Sequence, residues 1–141
     1  MKYGSVAMGR FINILMKHGK KSVAEKILYS ALDEIIKKTK KDPVKVFEAA
    51  IENATPIVEV ASKRVGGANY QVPREVRPER KFMLATRWII GAAKSKAGSA
   101  MSARLAEEII AASNNEGSAI KKKQDVHRMA EANRAFAHFS W

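Results

Sequence analysis

Apolar residues recur every three or four positions along most of this chain, the spacing of helices that bury one face. Met8, Phe11, Ile12 and Leu15 form such a stripe and predict a helix over Ser5–His18, with Gly19 as its C-terminal cap. Ala24, Ile27, Leu28, Ala31, Leu32 and Ile35 predict a second helix over Lys21–Lys38, whose closing Lys37-Lys38 suits the helix dipole. A third opens with Asp42 as N-cap and Pro43 at its first position and ends near Ala54, turning Val46, Phe47, Ala50 and Ile51 inward. A fourth opens after Pro78 and runs to about Lys96 through Leu84, Trp88, Ile89 and Ala92. A fifth covers about Ala100–Ser113 through Met101, Leu105, Ala106 and Ile109. After the loop Asn114-Asn115-Glu116-Gly117, a sixth covers about Ala119–Phe139. The prolines fall at positions 43, 56, 73 and 78 only, each at a segment boundary, where helix breakers belong.

One stretch breaks the helical pattern. From about Ile57 to Arg77 the residues read as a β-hairpin: two runs bearing Val, Tyr and Arg flank the connection Gly66-Gly67-Ala68-Asn69. Gly and Asn tolerate the positive φ angles of tight hairpin connections. Pro73 lacks an N–H and fits only an edge strand. A two-stranded ribbon is marginal alone in water, so an arginine-bearing one is expected to reach towards an anionic partner. The expected fold is mainly α: a six-helix, single-domain bundle with a protruding two-stranded β-hairpin, spanning residues 1–141. Connections are short, and no internal repeat or low-complexity tract appears.

Composition sharpens the partner. The net charge is +12, and the pI is about 10.1 on 15.6 kDa. A surplus of this size is tolerated best when a polyanion neutralises it, nucleic acid first and an anionic membrane second. It is also unevenly spread. Residues 1–21 carry five Lys or Arg and no acid, residues 57–81 carry six bases and three acids, and residues 82–98 carry three bases and no acid. Residues 42–56 come to −2 and residues 99–115 to −1. Such clustering is the footprint of a phosphate-binding surface. Lys37-Lys38 with Lys40-Lys41 reads equally well as a solvated helix end. Lys121-Lys122-Lys123 sits where cations oppose the dipole of a helix N-terminus, which weighs it towards binding.

Other chemistry is not called for. With no cysteine, disulfides, thiol nucleophiles and thiolate zinc sites are excluded. That is compatible with a reducing compartment. The absence of a run of about 18 apolar residues, and of a signal-like start, leads to the expectation of a soluble chain. His127 and His138 would stand roughly 16 Å apart along one helix, too far to share a metal. Glu107-Glu108 are adjacent in a helix and make no carboxylate pair by themselves. Gly66-Gly67 does not open a helix after a strand, so a hairpin turn explains it better than a phosphate loop. No catalytic residue, metal or cofactor is expected. Tyr70, beside the turn, is open to two readings: stacking on a base or sugar, or packing on the hairpin's own surface.

Lys63 through Lys81, and above all Arg64-Val65-Gly66-Gly67-Ala68-Asn69-Tyr70-Gln71-Val72-Pro73, closely resemble the signature of the bacterial-type small-subunit ribosomal protein seven family. So do His127-Arg128-Met129-Ala130-Glu131-Ala132-Asn133-Arg134-Ala135-Phe136-Ala137-His138 and His18-Gly19-Lys20-Lys21-Ser22, in the family's order. The resemblance implies a structural, non-enzymatic protein of the cytoplasmic ribosome. It implies a primary binder of 16S ribosomal RNA that organises the 3′ major domain, the head of the small subunit. It also implies a ribbon near the exit-site tRNA, ribosomal proteins nine and eleven as head and platform neighbours, and in many members repression of the operon's own mRNA. The arginine-rich arm usual in the family is missing before Lys2-Tyr3-Gly4, and Phe139-Ser140-Trp141 lacks the basic residue common before the last aromatic. Contacts from those positions are not carried over.

The residues expected to meet phosphate are Arg10, Lys17, Lys20 and Lys21 around helix one, and Lys63, Arg64, Arg74 and Arg77 on the hairpin. Arg80, Lys81 and Arg87 on helix four follow, with Lys121, Lys122 and Lys123 on helix six and Tyr70 as the aromatic contact. RNA would be read by shape at junctions and loops, because the deep A-form major groove is closed to side chains. Two other classes compete. A DNA-binding architectural protein would keep the hairpin and the charge and prefer duplex DNA. An RNA-modifying enzyme would need a titratable constellation in a pocket.

Overall fold

The computed structural model describes residues 6–139. The fold is mainly helical with one two-stranded antiparallel sheet: α1 (Val6–Leu15), α2 (Lys21–Thr39), α3 (Pro43–Ala54), β1 (Val58–Val65), β2 (Ala68–Glu75), α4 (Pro78–Ser95), α5 (Met101–Ser113), α6 (Ser118–Ala132) and a C-terminal 3-10 helix (Arg134–Phe139). Ser5, expected as the first residue of helix one, and Ser140 and Trp141 lie outside the described residues. Among the described residues no helix is long and apolar enough to cross a membrane.

The stripes read from the sequence meet in one contiguous core. Met8, Phe11, Ile12, Leu28, Leu32, Ile35, Phe47, Ile89, Leu105 and Ile109 are all fully or almost fully buried in it. Each large side chain so removed from water stabilises the fold by about 1.5–3 kcal/mol. Phe11 meets Phe47 edge to face, with centroids 5.2 Å apart and planes at 78°. That geometry opposes the positive ring edge to the negative face. Trp88, Ile27, Ile51 and Met101, also placed on core faces, are partly buried against this cluster.

The helix ends show their local causes. Asp42 Oδ1 accepts from the Val44 N–H at 3.0 Å, and Pro43 occupies the first helical position. Lys40 closes α2 in the left-handed region, φ 59°, its N–H bonded to the Ile36 carbonyl. Asn53 Nδ2 donates to the Ala112 and Ser113 carbonyls at the end of α5, at 2.9 and 3.1 Å. Lys123 Nζ in turn donates to the Asn53 carbonyl at 2.9 Å, so α3, α5 and α6 are tied at one corner.

Three expectations are corrected. Helix one stops at Leu15 rather than His18, because His18 and Gly19 both take left-handed φ values, 54° and 72°, and turn the chain into α2. The hairpin connection is two residues, not four: Val65 pairs with Ala68, and Gly66 and Gly67 carry φ of 59° and 85°. Positive φ at both central residues is what a two-residue type I′ connection demands. Helix six ends at Ala132 rather than Phe139. Asn133 turns its amide back onto the Met129 carbonyl at 2.8 Å, a local bond that competes with continued helix. The following residues wind more tightly, so that two phenylalanines reach the hairpin.

Candidate nucleic-acid interface

The register of the ribbon decides what each of its side chains can do. Directly paired residues share a face, and alternate residues point to opposite faces. Glu59, Ala61 and Lys63 therefore share a face with Arg74, Val72 and Tyr70, and Ser62 and Arg64 share the other with Gln71 and Asn69. The first face is turned to the protein. Val72 is fully buried and Glu59 is 7% exposed. Nearer the turn, Lys63 Nζ donates to the Phe139 carbonyl, and the Tyr70 ring lies 5.1 Å from Phe136 and 4.9 Å from Phe139. The second face is open, with Ser62, Arg64, Asn69 and Gln71 all exposed. Of the hairpin's expected contacts, Arg64 is presented outward. Tyr70 is occupied by the C-terminal aromatics, which favours the packing reading over stacking on a base.

At the ribbon's foot, a groove of about 900 Å³ opens between α1, the strand ends and the first turns of α4. It gathers Arg10, Arg74, Arg77 and Arg80 with Glu59, Glu75 and Glu79. Glu59 is the organising group. A buried carboxylate is tolerable only when paired, and Arg80 Nε stands 2.8 Å and Arg74 Nε 3.7 Å from its Oε2. Arg10 is steadied differently, its guanidinium 4.5 Å above the Phe82 ring. The groove thus holds arginine side chains in fixed orientations, which reduces the ordering cost of meeting a phosphate.

A second depression, about 580 Å³, lies where α1 turns into α2 and α4 meets α5. Lys17, Lys20, Lys94 and Arg104 rim it above Leu15, Val23, Ile27 and Met101. Burial, and then the charge of Lys17 beside it, lowers the pKa of Lys94 below the ordinary lysine value. Lys17 and Lys94 thus place two ammonium groups on the rim of one depression. Lys94 was not among the expected contacts, although a signal was present: Arg80, Arg87 and Lys94 are spaced by seven, two helical turns, and so line one face of α4. Arg104 is partly committed, since its Nη1 donates to the Lys94 and Lys96 carbonyls and caps the end of α4.

The remaining expected contacts line neither depression. Lys21 and Arg87 are exposed and Lys81 is half-buried. The lysine triplet splits: Lys121 and Lys122 are exposed, while Lys123 is spent on the Asn53 carbonyl. Glu107 and Glu108, which do not pair with each other, converge on Lys96 Nζ at 3.4 and 3.3 Å. Buried Glu108 also accepts from the Ala119 N–H at 2.9 Å, capping α6 from outside the helix. His127 Nε2 accepts from the Ile57 N–H at 3.2 Å and pins the foot of the ribbon to α6. His138, by contrast, lies beyond the end of α6, so the two rings do not share one helix.

Comparison with known proteins adds a single consistent result. The profile of the family described as ribosomal protein S7p/S5e matches residues 1–134. A small ribosomal subunit protein uS7 from Parvibaculum lavamentivorans is 56% identical over 140 residues, covering 99% of this chain and 90% of the relative. The protein of that name from Thermotoga maritima is 58% identical over 139 residues, and that from Vibrio vulnificus 57% over 140, each with the same coverage.

Proposed function

Because this chain belongs to the ribosomal protein S7p/S5e family, we propose that its ribbon, α1 and α4 form one face that binds 16S ribosomal RNA and organises the 3′ major domain. Family membership makes the chain a structural constituent of the small ribosomal subunit and not an enzyme. The whole of residues 1–141 acts as one RNA-binding unit, its helical body a rigid platform for the charged face.

The observation that carries this reading is the groove at the ribbon's foot, where arginines from α1, β2 and α4 are brought together and held in place by Glu59 and Phe82. Arg64 extends the face outward, and Lys17, Lys20 and Lys94 continue it along the far end of α4. Lys21, Lys81 and Arg87 belong to the same face, and Lys121 and Lys122 add a separate exposed pair. Proximity to exit-site tRNA, neighbours nine and eleven, and repression of the operon's own mRNA follow from the family resemblance alone.

Arg64→Ala and Arg77→Ala test the face. Each is expected to weaken binding to the 3′ major domain about fivefold at low salt, the worth of an exposed ion pair of about 1 kcal/mol. The melting temperature should stay unchanged, because both residues are exposed. Unchanged affinity in a filter-binding assay for both variants would remove the ribbon from the interface.

A further inference from the structure

We propose that the C-terminal 3-10 helix is a brace that fixes the orientation of the ribbon for RNA, with Phe136 and Phe139 as its positioning residues; this rests on the RNA-binding reading above. The foot of the ribbon is held by the body, through buried Glu59 and Val72 and the Ile57–His127 bond. Beyond Val72 towards the turn, the inward face is engaged by the C-terminal segment. Lys63 and Tyr70 are cross-strand partners, and both contacts land on that segment: Lys63 on the Phe139 carbonyl, Tyr70 on both phenyl rings.

The tighter winding has a purpose in this arrangement. Side chains three apart eclipse in a 3-10 helix, so Phe136 and Phe139 lie nearly parallel, with centroids 6.4 Å apart and planes at 14°. Both therefore reach the same tyrosine. An α-helical continuation would offset them by about 60° around the axis. None of Arg134–Phe139 is buried, so the segment contributes little to the core. Outside itself its rings meet Tyr70 of the ribbon, while within it Phe139 also lies against His138. A two-stranded ribbon is marginal without support. Holding its inward face leaves Arg64 pointing outward in a fixed frame, and a preorganised ribbon loses less freedom on binding.

The test compares the full chain with Phe136→Ala/Phe139→Ala, with the ring-retaining Phe136→Tyr/Phe139→Tyr, and with Tyr70→Leu, which cuts the contact from the ribbon side. In the RNA-free protein, amide hydrogen exchange in β1 and β2 should quicken about tenfold in the alanine and leucine variants, as the loss of two aromatic pairs implies. Exchange in α1–α5 should not change, and the tyrosine variant should behave as the unaltered chain. Affinity for the 3′ major domain should fall by no more than the roughly fivefold that Arg64 itself contributes. In an Arg64→Ala background the further loss should be small, because the brace acts through the ribbon. Unchanged exchange in the strands overturns the proposal. So does a full additive loss with Arg64→Ala, which would mean that the phenylalanines touch RNA themselves. If the unaltered chain does not select RNA, the functional reading fails instead, and that failure appears in the binding assay rather than in the exchange.

Discussion

At the scale of single residues, two positions show how one buried polar group dictates its neighbours. Gly117 sits at φ 94° and ψ 178° as the residue before α6, a region essentially reserved for glycine. A Cβ there would stand 2.9 Å from Glu108 Oε1, the atom that caps the helix. Gly117→Ala should therefore cost about 2 kcal/mol or more, seen as a melting point lowered by about 5 °C; an unchanged melt would mean that Glu108 does not fix this turn. His127 makes a second prediction. Burial, and then the charge of Lys123, lowers its pKa below the ordinary 6.5, and the ring must be neutral to accept from Ile57. A lowered histidine pKa means that the unfolded chain takes up the proton first. This contribution to stability is thus complete above about pH 6.5 and is lost as the pH falls below it. The protection of the Ile57 amide, taken relative to its intrinsic exchange rate at each pH, should fall between about pH 7 and about pH 5.5, and His127→Gln, whose carbonyl still accepts but does not titrate, should flatten that dependence. Some residue-scale facts were legible in advance. Asp42-Pro43 declares a helix start by local chemistry alone, and Gly66-Gly67 declares a turn. The cap from Glu108 was not, because its partner lies on another helix.

At the scale of elements, legibility follows the range of the forces. The apolar stripes of α1 to α5 predicted the buried faces, since burial of one face is what selects those spacings. The break of helix six was invisible: Ala135, Phe136 and Ala137 are compatible with helix, and what ends it is Asn133 together with a ring contact to Tyr70, far away in sequence. Sequence alone also did not separate Lys63 from Arg64. Once the register is known, adjacent residues take opposite faces, one against the C-terminal segment and one outward. The element-scale prediction follows from Glu59, which orients two arginines of the foot groove. Glu59→Ala should lower RNA affinity by more than either exposed arginine variant, and should also lower the melting point, since it leaves Arg80 without its 2.8 Å partner. Loss of stability with intact affinity would show that the groove is structural only.

At the scale of the whole molecule, the charge becomes a working property. Most of the net +12 lies in residues 1–21, 57–81 and 82–98, which hold α1 and its turn into α2, the ribbon and its foot, and α4, and this leaves the acidic segments of α3 and α5 to protein packing and solvent. The concentration on the segments that hold and flank these three elements was readable by summing charge along the chain. That these elements converge around two depressions, and that Lys94 belongs with Lys17, required the fold. The measurement that bears most directly on the account is binding of the full chain to the 3′ major domain of 16S ribosomal RNA and to an unrelated duplex DNA, at about 50 mM and about 200 mM salt. The account predicts RNA-selective binding that weakens about a hundredfold across that range, as release of counterions from roughly five phosphates requires. Equal, weak binding to both nucleic acids, or RNA binding indifferent to salt, would contradict it.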